Sequence, residues 1–266
     1  MKNTILITLL TLLLLSCSNK KQKGLPSDIE KETQNRIDIG YHLGTVIGII
    51  DKDGTRYYGF GQMSLTDSLK PDRNSIFEIG SIAKTFTTAL LADLELSGEI
   101  EINSSIEEYM PVFKQISAKS KRTITLEDLI NHTSGLARNP TNVTIDDSNR
   151  YHDYSVDNLK EYLSSITIKD SIKSYLYSNL AYLVLENTIE SKMGTSYESL
   201  LQERILGVLD MNDSHFVVPN KMRNRLVTPY ADGKHETELD MGKFPAGGGL
   251  KSTAKEMLRF LEAQLG

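Results

Sequence analysis

The 266-residue sequence predicts an α+β fold, in which an antiparallel hairpin near the N-terminus is followed by a large helical domain. Three observations point to it. Two β-rich runs flank an Asp-Gly turn, and a long middle stretch has helical spacing punctuated by caps and glycine stops. The composition, 39% hydrophobic and 24% charged with 18 Gly and 7 Pro, is that of an ordinary globular chain. Thirty basic against thirty-five acidic residues leave a net charge of -5, so no basic excess attracts phosphate backbones and nucleic-acid binding is disfavoured.

The first element is an address. Met1, Lys2 and Asn3 precede an almost wholly aliphatic run from Thr4 to Leu15 that meets Ser16 and Cys17. A bilayer span needs about 20 apolar residues, so the run reads as the core of a signal peptide over 1–16. Leu14-Leu15-Ser16-Cys17 resembles the lipobox of bacterial lipoproteins, which implies lipidation of Cys17 and a membrane-anchored protein of the bacterial cell envelope. The alternative is a free cysteine at the end of an ordinary signal; as the one cysteine of the chain, Cys17 has no intramolecular disulfide partner. The polar, Lys-rich residues 17–28 read as a solvated tether.

A helix is expected from Ile29 to Ile39. The runs Thr45-Val46-Ile47-Gly48-Ile49-Ile50 and Thr55-Arg56-Tyr57-Tyr58-Gly59-Phe60, joined through Asp53-Gly54, make the hairpin. Ala83 to Leu96 is the strongest helix former. Thr125 to Asp128 has the form of a capping box opening a short helix, with Glu78 and Asp128 read as helix-start charges. Further helices are expected over Asn158–Ser164, Leu180–Met193 and Tyr197–Leu209, with Gly194 and Gly207 as stops, and a last one from Thr253 to about Leu265, capped by Ser252. Residues 141–155 read as a polar surface excursion.

Chemistry concentrates at Phe77-Glu78-Ile79-Gly80-Ser81-Ile82-Ala83-Lys84. Ser81 and Lys84 are three residues apart at a helix start, so the amine can reach the hydroxyl while the helix N-terminus offers N–H donors to a developing oxyanion. A serine hydroxyl is a weak nucleophile until a neighbouring base accepts its proton. Ser-x-x-Lys recurs at Ser18 to Lys21 and Ser252 to Lys255, in the tether and at a helix cap, so context must decide. That context is Tyr177-Ser178-Asn179, placed just before a helix about one hundred residues later. His42, His152, His215 and His235 lack a metal-ligand spacing, so neither a metal nor a cofactor is expected. Gly247-Gly248-Gly249 lacks the Lys-Ser/Thr of a phosphate loop and is read as close backbone approach.

Together, Ser-x-x-Lys in this setting, Leu129-Ile130-Asn131-His132-Thr133-Ser134-Gly135-Leu136, Tyr-Ser-Asn, and Gly-Gly-Gly-Leu before Ser-Thr-Ala-Lys resemble the serine hydrolase family of class C β-lactamases, D-Ala-D-Ala carboxypeptidases and related esterases. The resemblance runs from about Gly44 to Gly266. It implies a β-lactamase/transpeptidase-like fold over 29–266. It implies Ser81 as the acylated nucleophile and Lys84 as its proton partner. Tyr177 becomes the general base and then the acid toward the leaving nitrogen, Asn179 a positioner of substrate and of Lys84, and His132 a structural loop residue. A tyrosine titrates near 10, so a useful phenolate at neutral pH requires a drop of about 3 units; a desolvated Lys84 acting as base is the alternative, and both stay open. The implied substrates are β-lactams, D-Ala-D-Ala peptides or esters, with a non-catalytic penicillin-binding or envelope-interaction module, or an inactive fragment, as the competing reading. The sequence carries no signal for oligomeric state.

The family's third motif, Lys-Thr-Gly or His-x-Gly on a sheet strand, has no counterpart here; Lys192-Met193-Gly194 matches only in letters, at a helix end. The expectation is a truncated member whose hairpin lacks covering strands and which hydrolyses slowly or not at all.

Overall fold

A computed structural model describes residues 24–120, 122–143, 151–168 and 174–266. Cys17, the signal segment and Ser18 to Lys21 lie outside the described residues. The helix α1 spans Ser27–Asp38, so it starts inside the segment read as tether, and Leu25 just before it is buried.

The hairpin forms as the sequence predicts. β1 (Gly44–Asp51) and β2 (Gly54–Gly61) pair antiparallel from Gly44 opposite Gly61 to Asp51 opposite Gly54. The Asp51 carboxylate ties the turn together. It accepts from the Asp53 backbone N–H at 2.8 Å and from both terminal nitrogens of Arg56, at 3.0 and 2.6 Å. The pair is a two-stranded sheet, yet it does not stand uncovered. A Cβ on Gly48 would lie 2.9 Å from a Leu258 methyl, so the missing side chain lets the last helix press against β1.

The helical body begins at a short strand, β3 (Ile76–Glu78), which pairs with β6 (Lys251–Thr253) and so joins the first third of the chain to its end. Glu78 is therefore a strand residue rather than a helix-start charge; it accepts from the Leu239 backbone N–H at 2.6 Å and faces Lys251 at 3.8 Å. The helix α2 (Ala83–Leu96) buries Phe86, Leu90, Leu91 and Leu94 completely. After α3 (Phe113–Ser120), α4 (Leu126–Ile130) opens on the expected box, Thr125 and Asp128 each bonding the other's backbone N–H at 3.2 Å. A second box, Ser155 with Asn158, starts α5 at Val156, two residues earlier than the spacing suggested, and α5 runs to Ser165.

The helix α6 (Asn179–Met193) buries Leu180 through Leu185 without a break. A helix apolar all round can only run through a core, and α6 lies in the same cluster as α2. It ends at Gly194 in the left-handed conformation, φ 66°. The helix α7 is shorter than expected, Tyr197–Leu201, and continues as a π turn over Gln202–Leu206. Gly207 keeps helical angles, so it is no stop; Asp210, at φ 52°, makes the turn.

Beyond the small hairpin of β4 (Tyr230–Ala231) and β5 (Lys234–His235) comes α8 (Ala254–Leu265), which stacks Phe260 on Phe86 of α2 at 3.9 Å. Its cap is Thr253, whose hydroxyl accepts from Glu256 N–H, whereas Ser252 bonds Ser214 inside the β6 layer. The stretch 141–155 is also corrected in part: Tyr151 and Tyr154 are buried core residues, their hydroxyls held by Asn139 and Asn142. No described helix is long and apolar enough to cross a membrane.

Candidate active site

Between β3 and α2 the chain makes one tight turn, Gly80–Ile82. Gly80 holds φ 51°, a conformation that strains residues carrying a Cβ, and this turn lifts Ser81 clear of the strand and sets it immediately ahead of the helix. Lys84 follows in the first turn of α2. It is 5% exposed, its Nζ donates to Ser81 Oγ at 3.3 Å, and it makes a short hydrogen bond to the Gly247 carbonyl. The expected close approach of the glycine triple is thus a carbonyl aimed at a buried amine. The ammonium also lies 5.3 Å from the ring centroids of both Tyr177 and Tyr182, where the negative ring faces offset part of its desolvation.

Tyr177 arrives from the other side of the body. It sits two residues before α6, and its hydroxyl donates to Ser81 Oγ at 2.9 Å. Its neighbour Ser178 fixes the approach. The Ser178 hydroxyl caps α6 by accepting from Ala181 N–H at 3.0 Å and donates to the Ala137 carbonyl at 2.7 Å, while its own N–H donates to His132 Nδ1 at 3.1 Å. His132 is thereby held neutral with its proton on Nε2, in line with the lowering of its pKa by burial and by the Lys84 charge, and its ring packs 4.4 Å from that of Tyr177.

Asn179 is the first residue of α6 and reaches the cleft beside Ser81. Its amide donates to Asn139 Oδ1 at 2.9 Å. Among the described residues Lys84 is hydrogen-bonded to Ser81, to the Gly247 carbonyl and to Tyr177. Asn139 and Arg138 belong to no spaced pattern in the sequence. Both are brought in by pairing of their segment with Tyr177–Leu180, in which the Arg138 carbonyl accepts from the N–H groups of Asn179 and Leu180 at 2.8 and 3.2 Å.

The electrostatics are asymmetric. Burial lowers the pKa of Lys84, with Tyr177 acting against that shift and the Arg138 charge adding to it. Burial raises the phenol of Tyr177, but its hydrogen bonds to Ser81 and Lys84 and the charges of Lys84 and Arg138 outweigh burial and leave it below its ordinary value. Two groups that both hold their protons less tightly than usual thus meet at one hydroxyl, an arrangement suited to proton transfer from a serine. An open cleft of about 740 Å³ lies above, lined by Ser81, Asn179, Arg138, Gly248 and Glu78 among others. Among the described residues no group of three His, Cys, Asp or Glu side chains is placed to hold a metal ion. Ser252 and Lys255 belong to β6 and α8, and Lys192–Gly194 to the end of α6, away from this cluster.

Known proteins resemble this chain in sequence and in fold. The family model described as Beta-lactamase matches residues 30–266. The D-alanyl-D-alanine-carboxypeptidase/endopeptidase AmpH of Escherichia coli K12 is 26% identical over 233 residues, which cover 84% of this chain and 57% of that protein. The teichoic acid D-alanine hydrolase of Staphylococcus aureus is 29% identical over 177 residues, covering 65% and 41% respectively. In structure, a class C beta lactamase from Rhodobacter sphaeroides superposes with a TM-score of 0.77 at 25% identity, over 89% of this chain and 65% of that one. The chain therefore spans between about two-fifths and two-thirds of the length of these relatives.

Proposed function

The chain belongs to the beta-lactamase family, and from that premise we propose that it is a serine hydrolase that forms an acyl-enzyme on Ser81 and hydrolyses β-lactam, D-alanyl peptide or ester bonds. One observation carries the reading: the Lys84 amine and the Tyr177 phenol reach the same oxygen, Ser81 Oγ, at 3.3 and 2.9 Å. Relatives named as carboxypeptidase, β-lactamase and D-alanine hydrolase support the substrate classes.

In the reaction Tyr177 acts as the phenolate, its own proton having left to solvent before the cycle, and Ser81 Oγ attacks the carbonyl carbon while the serine proton passes to Tyr177 Oη. The carbonyl π pair moves onto oxygen, where the N–H groups at the start of α2 and the helix dipole oppose the new negative charge. Collapse of the tetrahedral species re-forms the carbonyl and breaks the bond to the leaving nitrogen or oxygen, which takes the proton from Tyr177. Water then attacks the acyl ester by the same route, giving its proton to Tyr177 and finally restoring the Ser81 hydroxyl. Lys84 keeps the electrostatic balance throughout: its positive charge favours the phenolate, and the Gly247 carbonyl keeps the amine aimed inward. Incubation with a fluorescent penicillin and with nitrocefin, read by peptide mass, tests the proposal. A transient adduct on Ser81 that Ser81→Ala abolishes is expected; labelling that survives this substitution contradicts it.

We also propose that the mature protein is held at the bacterial envelope membrane through lipid on Cys17, since a lipobox-like sequence ends the signal and a single acyl chain would not suffice for stable anchoring where several do. Incorporation of labelled palmitate that is lost in Cys17→Ala is the expected result, and equal membrane recovery of the unlabelled variant would overturn it.

A further inference from the structure

Arg138 is the charged group of the site that the proposed reaction leaves unused. Its guanidinium lies 5.1 Å from the centroid of the Tyr177 ring. It does not drift there on a loose loop. The Ala137 carbonyl takes the Ser178 hydroxyl, the Arg138 carbonyl takes the Asn179 and Leu180 N–H groups, and Asn139 takes the Asn179 amide, so four hydrogen bonds pin residues 137–139 to the segment that carries Tyr177. Arg138 has no carboxylate partner among the described ion pairs. The groups facing Tyr177 are Lys84 from α2, Tyr182 from α6, and Arg138 and neutral His132 from the stretch after α4. Of these only Lys84 and Arg138 carry charge, both positive.

We propose that Arg138 is a positioning residue acting through Tyr177: its cation over the ring stabilises the phenolate, the form that takes the proton from Ser81 Oγ. The proposal rests on the serine hydrolase reading for its consequence in rate, although the contact itself does not. A cation over an aromatic face is attracted to the neutral ring and attracted more strongly once the ring carries a negative charge, so its effect is differential between the two protonation states. Lys84 alone serves two demands, neutralising the phenolate and contacting Ser81; a second, fixed cation relieves it of one. Because the arginine head is exposed, water weakens the interaction, and two unit charges about 5 Å apart in a water-like medium give an effect of about fourfold.

The experiment uses the protein labelled with ¹³C at tyrosine Cζ, with Tyr177→Phe to assign the resonance. In Arg138→Gln the Tyr177 titration midpoint is expected to move up, and in Arg138→Lys to stay near the wild-type position, because charge and not shape does the work. Acylation of Ser81 by fluorescent penicillin at neutral pH should fall about fourfold in Arg138→Gln and converge with wild type at alkaline pH, where the phenolate forms unaided. An unchanged Tyr177 midpoint in Arg138→Gln overturns the proposal. So does a loss confined to KM for anionic substrates, which would make Arg138 a substrate contact instead. If no probe labels Ser81 while the midpoint still shifts, the hydrolase reading fails and this one stands.

Discussion

In α2 and α6, ten apolar side chains from Phe86 to Leu94 and from Leu180 to Leu185 are all but sealed from water, whereas along β1 every residue keeps partial exposure. The two regions also differ in what they carry. Ser81 and Lys84 hang on the start of α2, Tyr177 and Asn179 on the start of α6, and Gly247 on the loop that packs between them; β1 supplies only Gly44, at the rim of the cleft. The proposed catalytic constellation is thus a property of the helical body. A two-stranded ribbon alone is marginal in water, and here it leans on α8.

The largest effect that can sharpen this contrast is chemical. Tyr177→Phe removes the proposed proton acceptor together with its hydrogen bonds to Ser81 and Lys84, so acylation of Ser81 should slow by about 10² to 10⁴ while the melting temperature changes little. Stopped-flow labelling beside a thermal melt checks both halves. Next comes stability. Leu91→Ala, in a fully buried position, should cost about 2–5 kcal/mol in urea unfolding. Ile49→Ala on the half-buried β1 should cost about 1 kcal/mol and leave Ser81 labelling intact. Equal costs at the two positions would break the comparison.

How much of this was legible in the sequence depends on the range of the interaction. Thr125 with Asp128, Gly194, and the register-setting Asp53-Gly54 are local signals, each satisfied by backbone within a few residues, and each element they mark is present. Ser81 with Lys84 was equally local. Glu78 carries no strand signal because three-residue strands leave no period: β3 forms through its pairing with β6, about 175 positions away, and a bridge from Ile76 to Leu226. Ser252 and Thr253 both have capping chemistry, and only the β6 register decides that Ser252 faces Ser214. Tyr151 and Tyr154 sit in a polar stretch, yet Asn139 and Asn142 satisfy their hydroxyls and allow burial. Arg138 and Asn139 carry no local signal, because what brings them to the site is the hydrogen bonding of residues 137–139 to the start of α6, about forty positions away.

Glu186 offers a pH test of the core. It is fully buried on α6, accepts from Ala246 N–H at 2.9 Å, and so braces the loop whose next carbonyl holds Lys84. Burial, and then the nearby carboxylates of Glu190 and Glu198, raise its pKa well above the ordinary 4.5 despite the Ala246 bond. Below about pH 4.5 the carboxyl is neutral in both folded and unfolded chains; as pH rises toward the folded value only the unfolded chain ionises, and stability is lost. Glu186→Gln cannot titrate, so its melting temperature should pull above that of wild type as pH rises from 4.5, with the two converging at lower pH. Parallel profiles would contradict the burial argument. An effect as small as that of Ile49→Ala is expected at Thr253→Ala, where loss of the α8 cap should cost about 1 kcal/mol and loosen the support of β1 without touching Ser81.

The most direct measurement is the site of covalent capture. Peptide mapping after brief exposure to a fluorescent penicillin should find the added mass on Ser81, at a rate that depends on Tyr177 and Lys84 and is indifferent to Ile49→Ala. Adduct on any other residue, or a Ser81 adduct forming equally fast when Tyr177 is phenylalanine, would contradict the account.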